Sequence, residues 1–252
     1  MRILIKYIFA AALLMLISNL QSCSKLKMPL TPGEIVTEER TRPLEQINHL
    51  VIDNDVNVVI STSQPAGIKI KAGKNLLKNI KTIINDTILY LKDENYSNWE
   101  RGYRDHIIIY LNLLQLKQIT FNGSAIVSSS DTLRQEQKNS SLVILTGDAT
   151  GIIDLKLKVQ SLKINHYFGV ADIILHGTAN SCLINTAGRG RIDAADLSVS
   201  DMRINDKSPN DCYLNVTNNL KGYLRGYGNI YLKGTPAINM DLQGPGQIIQ
   251  VD

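Results

Sequence analysis

The stretch that decides the fold is residues 169–192, which read GVADIILHGTANSCLINTAGRGRI. The stretch begins and ends at a glycine turn that is followed by an aliphatic residue, first Gly169 with Ile173 and then Gly188 with Ile192. Between the two turns apolar and polar residues tend to alternate, which is typical of β-strands rather than of helices. One unit of the chain therefore consists of extended segments and a sharp turn.

The same unit recurs along the second half of the chain. Its repeat positions are separated by 17 to 26 residues, with a mean step near 20. These positions are Ile126, Ile152, Ile173, Ile192, Tyr213, Ile230 and Ile248. Repeats of this length indicate a solenoid, because each unit can bury its apolar residues only against its neighbours. The sequence therefore predicts an all-β, parallel β-helix-like solenoid, with a β-sandwich built from glycine-rich hairpins as the alternative.

The amino terminus has the layout of an export signal. Arg2 and Lys6 are followed by an apolar run over residues 8–20, which is too short to span a membrane comfortably. Leu20-Gln21-Ser22-Cys23 resembles the lipobox of bacterial lipoproteins. This resemblance implies that residues 1–22 are a signal peptide and that Cys23 is acylated, which would anchor the chain in a membrane. The alternative is an ordinary secreted protein with an unmodified Cys23.

Three regions follow from this interpretation: a lipoprotein signal over residues 1–22, a tether over residues 23–43 and a β-solenoid domain over residues 44–252. The tether is predicted because its first part is polar and carries Pro29 and Pro32. Acidic residues do not follow Cys23 immediately, which favours the periplasmic face of the outer membrane. The surface face remains the alternative.

Charge and cysteine content exclude several classes of protein. The formal net charge is +4, and it falls to +2 without Arg2 and Lys6, so nothing indicates a nucleic-acid partner. Cys182 and Cys212 remain after lipidation of Cys23, and either a disulfide or two buried thiols is compatible with an exported protein. Neither has a histidine at metal-binding spacing, so we expect no zinc site and no cofactor.

The pattern over Gln118–Ile126 resembles the strand-turn signature of a family of exported bacterial proteins. Further similarity is found at Ile47–Ile60, Gly226–Pro236 and Gly244–Ile248, and the resemblance covers about residues 44–250. The family is the autotransporter adhesin, head GIN domain family. It implies a single-stranded, right-handed β-helix-like fold, an exported location and an adhesin-like role, and it brings no catalytic motif.

The residues give little indication of catalysis. None of the four histidines accompanies a serine, cysteine or acid in a nucleophile arrangement. Asp172 and Asp193 lie one repeat apart, so they could be neighbours about 5 Å apart across the stack, as a polysaccharide-active enzyme would require. The alternative is that aspartate is frequent in turns because it hydrogen-bonds its own backbone.

A cluster of tyrosines late in the chain provides a candidate binding surface. It consists of Tyr213, Tyr223, Tyr227 and Tyr231. Aromatic rings on one side of a solenoid can stack on the apolar faces of sugars, so we predict a glycan-facing strip. The alternative is that these rings pack along the edges of the coils or over the last turns.

Together these features predict a lipid-anchored, adhesin-like protein of the bacterial cell envelope that binds or scaffolds without catalysis. A periplasmic structural or envelope-sensing protein is the first alternative, and a polysaccharide-active β-helix enzyme is the second. The expected partners are a membrane, through the lipid anchor, and either a glycan or an envelope protein.

Overall fold

A computed structural model describes residues 32–62, 65–95, 107–135, 137 and 139–252. Within these residues one short 3-10 helix at Leu77–Asn79 accompanies the β-strands, so the all-β prediction is confirmed. No helix among these residues is long and apolar enough to cross a membrane. The predicted signal peptide and the predicted acylation of Cys23 lie outside the described residues.

The described residues form eighteen strands that belong to one continuous, curled sheet. In chain order the strands are β1 (Ile35–Arg40), β2 (His49–Asn54), β3 (Asn57–Ser61), β4 (Gly67–Gly73), β5 (Ile80–Asn85), β6 (Ile88–Asp93), β7 (Ile108–Asn112), β8 (Gln118–Gly123), β9 (Ile126–Ser129), β10 (Leu133–Arg134), β11 (Ser141–Thr146), β12 (Ile152–His166), β13 (Asp172–Thr186), β14 (Ile192–Asp206), β15 (Cys212–Leu224), β16 (Ile230–Lys233), β17 (Ala237–Leu242) and β18 (Ile248–Gln250).

The carboxyl-terminal half is a stack of parallel coils. Each of the strands β12 to β14 is fifteen residues long and pairs in parallel with the next strand in the chain. The pairing skips Gln160, Asn180 and Ser200, so each long strand consists of a first face and a second face joined at these residues. A short turn then leads to the next coil. This parallel stacking confirms the solenoid and excludes the sandwich alternative, in which the strands are antiparallel.

The alternation of inward and outward side chains gives the first faces an apolar interior. On the first face one inward column is completely or almost completely buried, and it is continuous from coil to coil. It consists of Val127, Ile153, Ile173, Ile192, Cys212 and Ile230. Each coil alone would expose these side chains, so burial arises only between neighbours.

Three repeat positions predicted from the sequence are wrong by one residue. Ile126 pairs with Ile152, and Val127 rather than Ile126 occupies the inward column. Ile152 pairs with Asp172, and Ile153 rather than Ile152 occupies the inward column. Likewise Cys212 points inward, whereas Tyr213 lies on the outer surface opposite Asp193. Successive side chains of a strand point to opposite sides, so a shift of one residue moves a side chain from the core to the surface.

The amino-terminal half is less regular because it mixes parallel and antiparallel pairs. β2 lies between β6 and β8, and β3 lies between β7 and β9, all in parallel. β1 and β7 flank β4 in antiparallel orientation, and β5 and β6 form an antiparallel pair. β8 and β9 then pair with β11 and β12, which connects this half to the regular coils.

Strand β1 lies within residues 23–43, for which the sequence predicts a tether. All six residues of β1 pair with β4. The Arg40 guanidinium, which is mostly buried, donates hydrogen bonds to the carbonyl oxygens of Leu77 at 2.9 Å and Ile80 at 2.6 Å. The folded region therefore begins before residue 44. The strand reads Ile-Val-Thr-Glu-Glu-Arg, without alternation of apolar and polar residues, so its sequence resembles a polar linker.

Candidate functional site

The turns that follow the second faces are stacked along one edge of the solenoid. We define the turn edge as residues 147–151, 167–171, 187–191, 207–211 and 225–229. Backbone hydrogen bonds connect consecutive turns: the Val170 amide donates to the Ala149 carbonyl at 2.9 Å, and the Arg189 amide donates to the Gly169 carbonyl at 2.9 Å. The Tyr227 amide donates to the Ser208 carbonyl at 3.1 Å. These hydrogen bonds fix the backbone of the turn edge, which is unusual for a loop surface.

Large aromatic side chains are exposed on the turn edge. Phe168 is 66% exposed and Tyr227 is 78% exposed, and their turns lie three coils apart, which corresponds to about 14 Å. Arg189 and Lys207 project from the two turns between them, and within the described residues neither forms an ion pair. Two rings with two unpaired cations between them therefore lie on a fixed backbone.

Two of the four predicted glycan-facing tyrosines contact each other instead of presenting their faces. Tyr213 and Tyr231 are opposite in register, and their rings are stacked with centroids 4.9 Å apart and planes 9° from parallel. The Arg191 guanidinium lies 5.6 Å from the Tyr213 centroid. The stacking direction follows the solenoid, so the rings cover each other's faces and a sugar could reach mainly their edges.

The other two predicted tyrosines lie at different places around the coil. Tyr223 is on the second face, and the Arg225 guanidinium lies 4.5 Å from its ring centroid. Tyr227 is on the turn edge. The four residues therefore do not form one strip, and Tyr227 is the member whose ring is best exposed.

An asparagine column on the second face was not predicted. Asn165, Asn185 and Asn205 are opposite each other in successive strands. The Asn185 amide donates to the Asn165 side-chain oxygen at 2.9 Å, and the Asn205 amide donates to the Asn185 side-chain oxygen at 2.8 Å. The signal was an Ile-Asn pair every 20 residues, at 164, 184 and 204, which a search for glycine turns does not detect.

A column of polar side chains is buried next to the turn edge. It runs through Thr146, His166, Thr186 and Asp206. The Gly190 amide donates to His166 Nε2 at 3.2 Å, so Nδ1 carries the proton of the neutral ring and lies 2.5 Å from the Thr146 hydroxyl oxygen. Burial lowers the pKa of His166, and the charge of Asp172 opposes this effect.

Asp206 is completely buried at the end of this column. Its Oδ1 accepts a hydrogen bond from the Ser208 amide at 2.6 Å, and its Oδ2 lies 3.4 Å from Cys212 Sγ. Burial raises the pKa of Asp206, and the hydrogen bonds from Ser208 and Cys212 reduce that increase. A buried carboxyl group with few donors favours its neutral form.

Cys182 and Cys212 are free, buried thiols, which is the second of the two alternatives for this pair. Cys182 lies on the second face of β13, Cys212 lies on the first face of β15, and β14 separates the two strands. Two coils correspond to roughly 9.6 Å, whereas the Cα atoms of a disulfide lie within about 7 Å. Burial raises the pKa of Cys182 to about 12, so this thiol stays protonated.

The aspartates do not form the carboxylate pair that an enzyme would need. Asp193 lies opposite Ile174 rather than Asp172. Asp172 accepts a hydrogen bond from the Arg191 amide at 2.8 Å, and Asp193 forms an ion pair with the Arg191 guanidinium at 3.4 Å. In the part of the chain that is described, no three metal-ligating side chains converge.

Comparisons with known proteins identify a family and a shared fold. Residues 47–236 match the family described as "putative auto-transporter adhesin, head GIN domain". This match covers most of the chain, and the protein belongs to that family. Nothing among curated proteins matches the chain.

Solved structures share the fold. A "putative adhesin" from Bacteroides fragilis is 23% identical, with a TM-score of 0.75, and the similarity covers 88% of this chain and 99% of the other. A "putative lipid binding protein" from Parabacteroides distasonis is 18% identical, with a TM-score of 0.65 and coverages of 87% and 98%. A "putative adhesin" from Parabacteroides merdae is 20% identical, with a TM-score of 0.57 and coverages of 87% and 97%. At these identities the similarity concerns the fold.

Proposed function

We propose that this protein is a lipid-anchored, adhesin-like protein of the bacterial cell envelope that binds a glycan through the turn edge. The observation that carries this proposal is the exposure of Phe168 and Tyr227 on a hydrogen-bonded backbone, with Arg189 and Lys207 between them. Exposed aromatic rings on a fixed backbone are already ordered, so a stacking contact costs little conformational entropy when a ligand binds. Aromatic rings can stack on the apolar faces of sugars. The cationic side chains can donate hydrogen bonds to sugar hydroxyl groups or pair with acidic groups.

Membership of an adhesin family supports binding rather than catalysis. The lipid anchor is supported by Leu20-Gln21-Ser22-Cys23 and by the basic and apolar residues before it. An anchored solenoid would hold the turn edge at a fixed site on the envelope, where a weak glycan contact can be repeated by neighbouring copies.

Binding to an immobilised glycan panel tests the proposal, with the full-length protein and the variants Tyr227→Ala and Phe168→Ala. Removing one ring from a stacked contact should weaken binding of a recognised glycan about 5- to 30-fold, by loss of about 1–2 kcal/mol. Tyr110→Ala is the matched control, because Tyr110 is 40% exposed on β7 and distant in sequence from the turn edge.

Selective loss of binding in the two turn-edge variants, with Tyr110→Ala unchanged, would support the proposal. Binding that is equal in all four proteins would exclude the turn edge as the glycan surface. Absence of binding to every glycan would favour a structural role in the periplasm.

A further inference from the structure

Four cationic side chains lie together where the second face meets the turn edge. Arg203 on β14 is opposite Lys221 on β15. Further along the same strands the Arg225 amide donates to the Asp206 carbonyl at 2.8 Å, so the register continues and Lys207 lies opposite Arg225. All four cationic side chains are exposed. We call Arg203, Lys207, Lys221 and Arg225 the basic quartet.

The basic quartet consists of two pairs with a defined spacing. Neighbouring strands are about 4.8 Å apart, and four residues of one strand span at most about 13 Å, which separates the two pairs. Asn205 and Tyr223 are opposite in register and lie between the pairs. The Arg225 guanidinium lies 4.5 Å from the Tyr223 ring centroid, so it is turned back from the turn edge towards the second face.

Acidic side chains do not neutralise the basic quartet. None of its members forms an ion pair with a residue that the structure describes. Asp201 on β14 and Asp241 on β17 are exposed on the same face. A hydrogen bond from Asn219 and, more weakly, the charge of Lys221 lower the pKa of Asp201. Asp241 accepts a hydrogen bond from Gln243. Four cations therefore accompany two carboxylates, and the surface keeps an excess of positive charge.

Cations that are directly opposite each other on neighbouring strands destabilise a sheet. Lys81 and Lys92 are opposite in this way, and Glu94 lies 3.7 Å and 3.9 Å from their ammonium groups. Arg134 and Lys158 on the first face form a single opposed pair without an ion pair to any described residue. The basic quartet places two such pairs on the same two strands. A ligand with two anionic groups would offset both repulsions.

The composition of each pair indicates the kind of anion. One member is an arginine, whose guanidinium can bind a carboxylate through two parallel hydrogen bonds, and the other is a lysine, which acts as a point charge. Each pair therefore matches one carboxylate. The amide of Asn205 and the ring of Tyr223 between the pairs match an uncharged sugar. A chain in which acidic and neutral sugars alternate has this order of groups.

We propose that the basic quartet binds a polysaccharide that carries a uronic acid on alternate sugars. One carboxylate lies between Arg203 and Lys221, the next lies between Lys207 and Arg225, and the neutral sugar between them lies over Tyr223. This inference rests on the proposed glycan binding and names the class of glycan. It extends the binding surface from the turn edge onto the second face.

Calorimetric titration of the full-length protein, in a non-ionic detergent without sugar groups, tests this proposal. The probe is a hyaluronan tetrasaccharide, in which one N-acetylglucosamine separates two glucuronates. At about 0.15 M salt the screening length is about 8 Å, so diffuse attraction between charges is reduced. We expect saturable binding of the tetrasaccharide. Its methyl ester and the disaccharide with one carboxylate should each bind at least about 10-fold more weakly.

Three double variants, each of which removes two positive charges, assign the site. Two of them each remove one pair of the basic quartet: Arg203→Gln with Lys221→Gln, and Lys207→Gln with Arg225→Gln. Each should weaken binding of the tetrasaccharide at least about 10-fold and abolish its advantage over the disaccharide. The control is Arg134→Gln with Lys158→Gln, which removes the opposed pair on the first face and should leave binding unchanged. Melting curves of every variant would verify folding.

Equal binding of the tetrasaccharide and its methyl ester would overturn the proposal, as would equal weakening in the control variant. Single-stranded DNA that competes equally well at the same charge concentration would also overturn it, by showing a surface for any polyanion. Binding of neutral glycans that depends on Phe168 and Tyr227, without binding of the tetrasaccharide, would exclude the basic quartet and keep the proposed function. Uronate binding that depends on the basic quartet but not on these two rings would have the opposite meaning.

Discussion

Among single residues, Gly228 shows how closely the coils approach each other. A Cβ atom at this position would lie 1.9 Å from the carbonyl oxygen of Asn210 in the preceding coil. From the sequence, this turn glycine is expected to need a positive φ, but Gly228 is not among the described residues with positive φ. The backbone contact is therefore the reason that glycine is required here.

We predict that Gly228→Ala destabilises the protein by about 1–3 kcal/mol, because a neighbouring carbonyl group must move. Thermal unfolding measures the effect. Gly67→Ala is the matched control, since a Cβ atom there would meet only Pro65, at the ordinary distance of 3.8 Å. Equal melting temperatures for Gly228→Ala and the unmodified protein would show that the stack can open at this turn.

Asp206 predicts a dependence of stability on pH. Burial raises its pKa in the folded protein above the ordinary value of 3.8. The unfolded chain therefore releases this proton at a lower pH than the folded chain does. The contribution of Asp206 to stability is complete below about pH 3.8 and is lost as the pH rises through the raised folded value.

The variant Asp206→Asn should remove this contribution, so its free energy of unfolding should decrease less than that of the unmodified protein as the pH rises. Urea unfolding at a series of pH values from about 4 to about 8 measures the difference. Asp148→Asn, at an exposed position on the turn edge, is the control. Parallel pH profiles for the two variants would contradict the role of Asp206.

Among the elements, the asparagine column connects three strands through side chains. Asn185 both donates to Asn165 and accepts from Asn205, whereas Asn165 takes part in one of these bonds. We predict that Asn185→Ala lowers the free energy of unfolding by about 1–3 kcal/mol and that Asn165→Ala lowers it by about half as much. Equilibrium unfolding in urea distinguishes the two. Equal losses in the free energy of unfolding for the two variants would mean that the hydrogen bonds between neighbouring asparagines do not contribute separately to stability.

The strands of the second half could be predicted because alternation and turn residues coincide in every repeat. The face of each residue was harder to predict where two aliphatic residues are adjacent, as at Ile152 and Ile153, since either could point inward. β1 was missed for a different reason. Its pairing partner is a distant segment, and its own residues carry no sign of that partner.

For the whole molecule, the solenoid and the family followed from the sequence because they depend on order and spacing. The candidate site could not be predicted in this way, because the orientation of its aromatic rings depends on the register between neighbouring coils. Tyr213 and Tyr231 are separated by 18 residues and become stacked only because the coil between them has that length.

The proposed lipid anchor on Cys23 would hold the whole molecule at a membrane. We predict that Cys23→Ala yields a protein without acyl chains that no longer partitions with membranes. Metabolic labelling with a fatty acid and fractionation of cells measure both effects. Ser22→Ala, which keeps a small residue before Cys23, is the control and should remain acylated. Normal labelling of Cys23→Ala would exclude this cysteine as the acylation site.

The stacked turns have a consequence for how such a protein can diverge. Each turn is attached mainly through backbone groups, and its exposed side chains, such as those of Phe168, Arg189 and Tyr227, extend away from the interior. Substitutions at these exposed positions can therefore accumulate at little cost to folding. The hydrogen-bonded backbone of the turns is thus separate from the exposed side chains that would contact a partner. Proteins with the same architecture are therefore free to recognise unrelated targets.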